Sequence, residues 1–153
     1  MKTNNFSNKF YIREISSQDT FKVRHPVLRQ GRPIEDCVFE GDELETTIHL
    51  GLYINDQLIS VATFLSNKND IFAEIRQYQL RGMAVLKSHQ GQQLGQHILK
   101  HGEQLLTEKR VVRVWLNARE HAVNFYKNNH YQIVGQPFEI NKVGTHYVMT
   151  KRL

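Results

Sequence analysis

The segment Tyr78–Glu108, YQLRGMAVLKSHQGQQLGQHILKHGEQLLTE, carries more structural information than any other part of the chain. It starts as a β-like run that ends at Met83-Ala84-Val85, and after a short polar turn it continues as an amphipathic helix. The first N–H groups of a helix have no partner within it, and the helix dipole favours negative charge there. A strand that leads through a glycine-containing turn into a helix therefore predicts an anion site, for a nucleotide or another phosphate-bearing cofactor.

The glycine spacing in the turn narrows the choice of phosphate motif. The turn reads Gln90-Gly91-Gln92-Gln93-Leu94-Gly95. It contains neither Gly-x-x-x-x-Gly-Lys-Ser/Thr nor Gly-x-Gly-x-x-Gly, which excludes the P-loop and the dinucleotide-binding fingerprint. On this segment alone, a strand, a turn and a surface helix without a ligand is the alternative.

The order of residues in the turn resembles the acetyl-CoA motif of the GCN5-related N-acetyltransferases, the GNAT family. That motif is Gln/Arg-x-x-Gly-x-Gly/Ala after a strand that ends in small-apolar-Val. Gln90 matches its first position and Gly95 its last, whereas Gln93 stands where the family has its middle glycine. Because backbone N–H groups would bind the pyrophosphate, we expect Gln93 to be tolerated if its φ is negative.

A second segment carries the same resemblance through a strand and a helix. Val111–Leu116 is nearly all apolar, which is typical of a strand covered on both faces. In the following Asn117–Tyr126, Ala118, Ala122 and Phe125 fall at i, i+4 and i+7, which predicts a short helix with a buried stripe. The order Asn-Ala-Arg, Ala, Phe-Tyr is similar to the C-terminal half of the family.

The resemblance continues after this helix into another strand. Residues 131–135, aromatic-x-Ile-Val-Gly, match the family, but His130 replaces the glycine that usually precedes the aromatic residue. We expect Asn129 to take the left-handed position at the helix end instead, because asparagine tolerates that conformation. The resemblance covers residues 78–153 by motif and the first half of the chain by architecture only.

The remaining segments predict one mixed sheet. A strand at Phe10–Ile15 is followed by cap residues that begin at Ser16 and by a helix that ends near Arg29. Pro26 either kinks this helix or marks its start. Strands over residues 46–54, 58–65 and 71–85 are separated by tight turns, and short turns make antiparallel pairs. This excludes a purely parallel sheet. A last strand over residues 143–152 closes the sheet.

The predicted fold class is therefore α/β, of the α+β type with a mixed sheet, in the order β-α-βββ-α-β-α-ββ. In the fold of the resembled family, the strand that ends at Val85 and the strand that ends at Asn117 splay apart. The pantetheine arm of the cofactor enters the gap. The length of 153 residues predicts a single domain over residues 1–153, with the polar residues 1–9 as a flexible arm.

Composition excludes several classes of protein. No apolar run approaches the roughly 20 residues of a bilayer span, and the N-terminus lacks the apolar region of a secretory signal. Cys37 is the only cysteine, so no internal disulfide can form, which fits a reducing cytoplasm. These features predict a cytoplasmic protein that has no membrane partner.

Neither a metal nor a nucleic acid is predicted as a ligand. His97 and His101 are the only notable histidine pair, and two ligands alone make a weak zinc site. The net charge of +5 is compatible with nucleic acid, but the positive residues are dispersed. An anionic cofactor with several phosphates explains that charge equally well.

The resemblance implies a set of cofactor-binding residues. The exposed backbone of residues 83–85 would pair with the pantetheine amides as an added strand does, and the turn would bind the pyrophosphate. Amide side chains, which donate and accept, would hold the pantetheine or adenosine end. The set is Met83, Ala84, Val85, Gln90, Gly91, Gln92, Gln93, Leu94, Gly95, Gln96, Asn117 and Asn124.

Tyr126 is the predicted general acid, because it matches the family tyrosine that faces the cofactor sulfur. A tyrosine with an ordinary pKa of about 10 is protonated at neutral pH and can donate to a leaving thiolate. Helical periodicity alone favours the alternative, a packing tyrosine beside Phe125.

The general base and the acceptor contacts are left open. Some members of the family use a water chain, and no base is assigned among the acidic and histidine residues near the central hairpins. Two arginines are considered as contacts for an acidic acceptor, with exposed surface arginines as the alternative. The base candidates are Glu74, His49, Asp42 and Glu45, and the arginines are Arg81 and Arg24.

The sequence thus predicts an acetyl-CoA-dependent N-acetyltransferase that transfers its acetyl group directly to a primary amine. Cys37 lacks a recognisable partner, which argues against a covalent enzyme intermediate. The acceptor is a small-molecule or protein amine. Many members of the family form dimers, so the resemblance allows a homodimer. The alternatives are a non-catalytic acyl-CoA-binding sensor or interaction module and, third, a nucleic-acid-binding domain.

Overall fold

The computed structural model describes residues 9–153. Most of the predicted flexible arm at residues 1–9 lies outside the described residues. The strands are β1 Phe10–Glu14, β2 Ile48–Ile54, β3 Gln57–Ser66, β4 Gln77–Val85, β5 Arg113–Arg119, β6 Gln132–Ile140 and β7 Gly144–Arg152. The α-helices are α1 Ser17–Leu28, α2 Leu94–Glu108 and α3 Val123–Asn128.

The strands form one seven-stranded mixed sheet in the order β1-β2-β3-β4-β5-β7-β6. All neighbouring pairs are antiparallel except β4 and β5, which are parallel. The predicted order of strands and helices is confirmed, and so is the antiparallel pairing of β2 with β3 and of β3 with β4. The predicted strand start at residue 71 is wrong, because β4 begins at Gln77 and an irregular segment, residues 67–76, joins it to β3 in place of a tight turn. Ser16 caps α1 as expected, because its hydroxyl accepts a hydrogen bond from the Asp19 N–H at 3.1 Å.

The two parallel strands at the centre of the sheet stay together for only a short distance. Pairing between β4 and β5 is limited to Gln77–Gln79 and Arg113–Trp115. Beyond these residues β4 continues to Val85 and β5 to Arg119 without a shared ladder. The strands therefore splay apart, as the sequence predicts, and leave backbone groups at the opening.

A bulge in β4 re-aims the strand just before the predicted cofactor residues. The register between β3 and β4 shifts between Val61 and Thr63, opposite Gly82. Gly82 has a φ of +58°, a left-handed value that glycine adopts without steric cost. Its location separates Arg81 on one face of the sheet from Met83 on the other.

The helices cover opposite faces of the sheet. The α2 side holds the larger core, which includes Ile98 and Leu106 of α2. Gly102 is required there, because a Cβ at this position would overlap the ring of Phe64 in β3. On the other face α1 packs against β3 and β4 through Val23 and its neighbours. Each core uses its own set of alternating strand residues.

The local predictions around α3 are wrong in two places. Ala118 lies in β5 and not in a helix, because β5 pairs with β7 as far as Arg119 and this pairing overrides the helical periodicity. The left-handed residue after α3 is His130, with a φ of +73°, and not Asn129. Asn129 stays at a φ of −103° and its side-chain amide donates to the Phe125 carbonyl oxygen at 2.8 Å.

Candidate active site

A cleft of about 700 Å³ opens where β4 and β5 splay apart. Its walls come from the end of β4, the end of β5, the first turn of α2, α3, the C-terminal end of α1 and the β6–β7 hairpin. The cleft therefore passes through the sheet and is open to groups from both of its faces. A concave site of this size can hold a small ligand.

The end of β4 lies along the cleft and is tied to the turn that follows it. Met83, Ala84 and Val85 all line the cleft. The Gln90 side-chain amide donates to the Val85 carbonyl oxygen at 2.9 Å. This hydrogen bond fixes where the turn leaves the strand, and it uses a carbonyl group that the sequence analysis treats as part of the exposed backbone.

The turn enters α2 through left-handed residues. Gln93 is the N-cap of α2 and has a φ of +63°, so the expectation of a negative φ is wrong. Gly91 is also left-handed, at +81°. A left-handed residue followed by a right-handed one, here Gln93 and the helical Leu94, makes consecutive N–H groups converge, which is the geometry of an anion-binding nest. Gln93 therefore adopts a conformation that glycine reaches without steric cost.

The N-terminus of α2 offers hydrogen-bond donors to a ligand. No side chain caps it, and its first turn contains no acidic residue. Leu94 is buried in the core and anchors the first turn. Gly95 faces the cleft, where an added Cβ would lie 3.3 Å from Met83 Cε and 3.4 Å from Phe125 Cζ. Both the donors and this close approach fit a ligand that carries phosphate.

Most predicted cofactor residues converge on this region, with one exception. Asn117 is exposed at the splayed end of β5 and lines the cleft. Asn124 is exposed on α3 and is not among the residues that line it. The predicted residues that line the cleft are Met83, Ala84, Val85, Gln90, Gly95, Asn117 and Tyr126. Those in the adjoining turn and first helical turn are Gly91, Gln92, Gln93, Leu94 and Gln96.

Tyr126 reaches the cleft from α3 and is held by aromatic packing. Its ring meets Phe125 and Tyr131 edge to face, with centroids 5.1 and 5.7 Å apart. Its hydroxyl lies 3.7 Å from Met83 Sδ, a weak acceptor. Burial raises the pKa of Tyr126 well above its ordinary value. The hydroxyl therefore keeps its proton and remains a donor at the cleft.

Two of the four base candidates belong to a buried network outside the cleft. His49 Nε2 lies 2.8 Å from the Asp42 carbonyl oxygen, which can only accept, so Nε2 carries the proton. His49 Nδ1 then accepts from the Thr63 hydroxyl, also at 2.8 Å. Both ring nitrogens are occupied. Asp42 in turn forms an ion pair of 2.6 Å with Arg24, so neither residue is available as a base.

The other two base candidates also lie outside the cleft. Glu74 is bound to Arg113 by two hydrogen bonds of 2.6 and 2.9 Å, and these lower its pKa to about 2. A carboxylate of such low basicity is a poor proton acceptor near neutral pH. Glu45 is exposed and does not line the cleft.

His146 is a cleft residue that the sequence analysis missed. It is only 4% exposed, lines the cleft and lies opposite Arg119 across β5 and β7. Its Nδ1 lies 2.8 Å from the Gly144 carbonyl oxygen and must donate to it. In the neutral ring Nε2 then carries a lone pair. The alternation of side chains along β7 places His146 on one face of the sheet. Which residues surround it depends on the pairing of β7 with β5, which the sequence does not reveal.

The two arginines that the sequence analysis singled out differ in their surroundings. Arg24 is 0% exposed, so the expectation of a surface residue is wrong for it. Three charged or polar groups explain its burial: besides Asp42, it donates to the Cys37 carbonyl oxygen and the Thr63 hydroxyl, both at 2.8 Å. Arg81 is half-buried and lines the cleft.

The described residues contain neither a cluster of metal ligands nor a helix that could span a membrane. Within residues 9–153, no three side chains of the His, Cys, Asp or Glu type converge as metal ligands. No helix in the same range has the length and apolar character needed to cross a membrane.

Known proteins resemble this chain both in sequence and in fold. The model of the Acetyltransferase (GNAT) family matches residues 10–131. An uncharacterized N-acetyltransferase named YitI, from Bacillus subtilis (strain 168), is 38% identical over 142 residues, which cover 93% of this chain and 95% of that relative.

Solved structures share the architecture at low sequence identity. An aminoglycoside 6'-N-acetyltransferase complexed with coenzyme A superposes with a TM-score of 0.75 at 15% identity, over 93% of this chain and 96% of that one. The ribosomal-protein-S18-alanine N-acetyltransferase from Escherichia coli gives 0.74 at 16% identity, over 94% of both chains. These two likenesses establish the fold, and the family match establishes the kinship. The chain belongs to the GNAT family of N-acetyltransferases.

Proposed function

We propose that this enzyme transfers an acetyl group directly from acetyl-CoA to a primary amine, with both substrates bound at once. The observation that carries the proposal is the cleft at the β4–β5 splay. One end of the cleft meets the uncapped N-terminus of α2, and Tyr126, whose hydroxyl lies beside Met83, lines the cleft. Acetyl-CoA carries its phosphates and its thioester at opposite ends, so it requires an anion site and a proton donor at separate places.

The residues at the turn fit the donor substrate. The N–H groups of the nest and of the first turn of α2 would hold the pyrophosphate. The end of β4 and Asn117 of β5 would hold the pantetheine arm between the splayed strands. Gly95 supports this placement, because its missing Cβ leaves space beside Met83 and Phe125 that any side chain would occupy.

Bound acetyl-CoA supplies the thioester, whose carbon–sulfur bond is replaced by a carbon–nitrogen bond to the amine. His146 accepts the proton that the amine nitrogen loses, through the lone pair on Nε2. Tyr126 donates its hydroxyl proton to the leaving sulfur. Tyr126 approaches from the α2 side of the sheet and His146 from the α1 side. This arrangement suits a reaction whose two substrates enter from opposite faces.

Release of the free thiol separates the enzyme from the non-catalytic sensor. We expect thiol to appear from acetyl-CoA when a panel of primary amines is added, with a matching yield of N-acetylated product by mass spectrometry. A protein that binds acetyl-CoA but releases no thiol with any amine would contradict catalysis and leave the sensor.

The substitution Gly95→Trp is expected to abolish acetyl-CoA binding while the protein stays folded. The indole would fill the space beside Met83 and Phe125 in which the donor substrate is proposed to lie. We expect the dissociation constant for acetyl-CoA to rise at least about 100-fold, a loss of about 2.7 kcal/mol. The matched control is Gln104→Trp on the exposed side of α2. Unchanged binding in Gly95→Trp would place the donor elsewhere.

The substitution His146→Gln is expected to lower kcat about 100-fold at neutral pH, because glutamine can replace the hydrogen bond to Gly144 but cannot take up a proton. A variant that keeps more than half of the parent kcat, with chemistry rate-limiting, would show that another group is the base.

A further inference from the structure

We propose that the acceptor is an amine that also carries a compact oxyanion, a carboxylate or a phosphate, which binds to Arg29, Arg81 and Arg119. This inference rests on the proposed acetyl transfer and specifies its second substrate. We call these residues the arginine triad. They come from three separate elements: Arg29 follows α1, Arg81 lies in β4 and Arg119 ends β5.

All three members of the triad line the same cleft and are half-buried. They are therefore neither fully solvated surface charges nor part of the core. The convergence of three guanidinium groups at one cavity is unfavourable unless an anion offsets their repulsion. The fold nevertheless brings them together from positions 29, 81 and 119.

No member of the triad has a carboxylate of residues 9–153 at ion-pair distance. Asp42 and Glu40 act on the charge of Arg81, and Asp36 on that of Arg29, without forming such a pair. Within the same residues, the side chains of Arg29 and Arg81 donate to carbonyl oxygens, those of Leu28 at 3.0 Å and Glu40 at 2.9 Å. Burial, followed by the charge of Arg119, lowers the pKa of Arg29. Burial also lowers the pKa of Arg81.

The neighbouring Arg24 shows the contrast. It lies beside the triad, but Asp42 neutralises it in a bidentate pair with distances of 2.6 and 3.1 Å. The fold therefore supplies a directly paired carboxylate for the fully buried arginine and, within residues 9–153, none for the arginines that line the cleft. An anionic ligand would supply the direct partner that the triad lacks.

The ring of Phe39 orders two members of the triad. The guanidinium carbons of Arg29 and Arg81 lie 5.0 and 5.5 Å from its centroid. Stacking of this kind restricts a guanidinium group without using its donors. Arg29 and Arg81 are thus held in place with N–H groups still available, as preorganised anion sites are.

The triad lies on the face of the sheet opposite the α2 core. On β4, Arg81 is on the α1 side whereas Met83 packs against the α2 core. On β5, Ala118 belongs to the α2 core, so the adjacent Arg119 points to the α1 side. The N-terminus of α2, proposed to hold the donor pyrophosphate, is not on this side. The triad is therefore available to the acceptor.

These features favour an acidic amine over a polycation. Carboxylate and phosphate groups accept paired hydrogen bonds from guanidinium groups. A polyamine or an aminoglycoside would bring further positive charge to a site whose three arginines already lack a directly paired carboxylate within residues 9–153. His146, which lies opposite Arg119, would then be near the amino group of an acceptor anchored by the triad.

The test compares matched acceptors by thiol release. The panel consists of the L-amino acids and their α-amides, O-phosphoethanolamine and ethanolamine, and, as polycations, spermidine and kanamycin. We expect at least one acidic amine to have a kcat/KM at least about 10-fold above its neutral counterpart. The amino acids and O-phosphoethanolamine distinguish carboxylate from phosphate.

The same acceptor is then measured with Arg119→Gln and Arg29→Gln, and with Arg32→Gln as the control. Arg32 lies near α1 but pairs with Asp36 and does not line the cleft. We expect each triad variant to raise the KM of the acidic acceptor about 10- to 100-fold, the range for a lost charged hydrogen bond. The KM of acetyl-CoA should change less than about 2-fold, and Arg32→Gln should resemble the parent.

Several outcomes would overturn the inference. Two concern the acceptor panel: a preference for neutral or polycationic amines, or the failure of every acidic amine to be acetylated. Two concern the triad variants: an unchanged acceptor KM in both, or an equal rise in the KM of acetyl-CoA. Calorimetry with acetyl-CoA alone distinguishes failure of this inference from failure of the proposed acetyl transfer. If acetyl-CoA binds and a neutral amine is the better acceptor, only the inference is wrong, whereas if acetyl-CoA does not bind, the proposed function itself is wrong.

Discussion

Tyr126→Phe is expected to reduce kcat by about 10²–10⁴-fold, the usual contribution of a positioned proton donor. Its ring is held between Phe125 and Tyr131, so the phenylalanine should keep the packing and lose only the hydroxyl. Among residues 9–153 the hydroxyl has no strong acceptor, since the hydrogen-bond contact found there is to Met83 Sδ at 3.7 Å. Stability and acetyl-CoA affinity should therefore remain close to those of the parent.

The pH dependence gives a second check on Tyr126. Burial raises its pKa above the ordinary value of 10, so its loss of a proton should not lower the rate below pH 10. Tyr11→Phe, an exposed tyrosine in β1, is the control for removal of a hydroxyl. If Tyr126→Phe retained more than half of the parent kcat with chemistry rate-limiting, Tyr126 would be a packing residue and not the general acid.

Asp42→Ala is expected to lower the free energy of unfolding by about 3–5 kcal/mol, because it leaves the buried charge of Arg24 without a partner. The side chains of Arg24 and Asp42 are 0% and 3% exposed. Asp42 also accepts a hydrogen bond of 2.9 Å from the Phe39 N–H. A loss of this size is a large fraction of the stability of a typical domain and should reduce Tm by roughly 10 °C.

Chemical denaturation of two further variants shows whether the buried charge is the cause. The double variant Arg24→Met/Asp42→Leu removes both charges and should recover at least about half of the loss. Disruption of the exposed pair by Asp36→Ala should cost less than about 1 kcal/mol. A cost below about 1 kcal/mol for Asp42→Ala would show that the buried pair contributes no more than a surface pair.

The buried pair also connects stability to the active site. A Cβ on Gly82 would lie 3.0 Å from Arg24 Nε, so the bulge of β4 rests directly on this arginine. The bulge in turn sets the direction of residues 83–85 along the cleft. We infer that the Arg24–Asp42 pair supports the strand that is proposed to hold the donor substrate.

Much of the topology follows from local features of the sequence. The turn near Asp56 requires an antiparallel pair, and the cap at Ser16 starts a helix, so these elements depend on a few neighbouring residues. The turn before α2 can be recognised from the sequence because its proposed role, binding a cofactor pyrophosphate, requires a fixed order of residues. These features are encoded within about 10 residues of chain and can be identified without the tertiary structure.

Other features depend on contacts between distant segments and could not be predicted. Ala118 has helical spacing but lies in a strand because β7 pairs with it from a distance of some 30 residues along the chain. Arg24 looks like a surface residue until Asp42 is placed beside it. His146 and Arg119 become neighbours only through the pairing of β5 with β7. Charge balance and access to the cleft are properties of the folded sheet.

The backbone of the turn shows a further limit of sequence motifs. Gln93 differs from the glycine of the family motif, and the sequence indicated that it would be tolerated at a negative φ. It is instead left-handed, at +63°. A non-glycine residue in this conformation costs of order 1 kcal/mol or more. The surrounding turn therefore imposes a left-handed backbone on Gln93 in spite of this cost.

Calorimetric titration of acetyl-CoA into the purified protein tests the central claim most directly, with CoA and NADP as comparators. Our account predicts binding in the micromolar range, near −8 kcal/mol, for acetyl-CoA and CoA but not for NADP, which shares an adenosine and phosphates but lacks the pantetheine arm. Absence of acetyl-CoA binding at concentrations near ~1 mM, weaker than about −4 kcal/mol, would contradict it, as would equal binding of NADP.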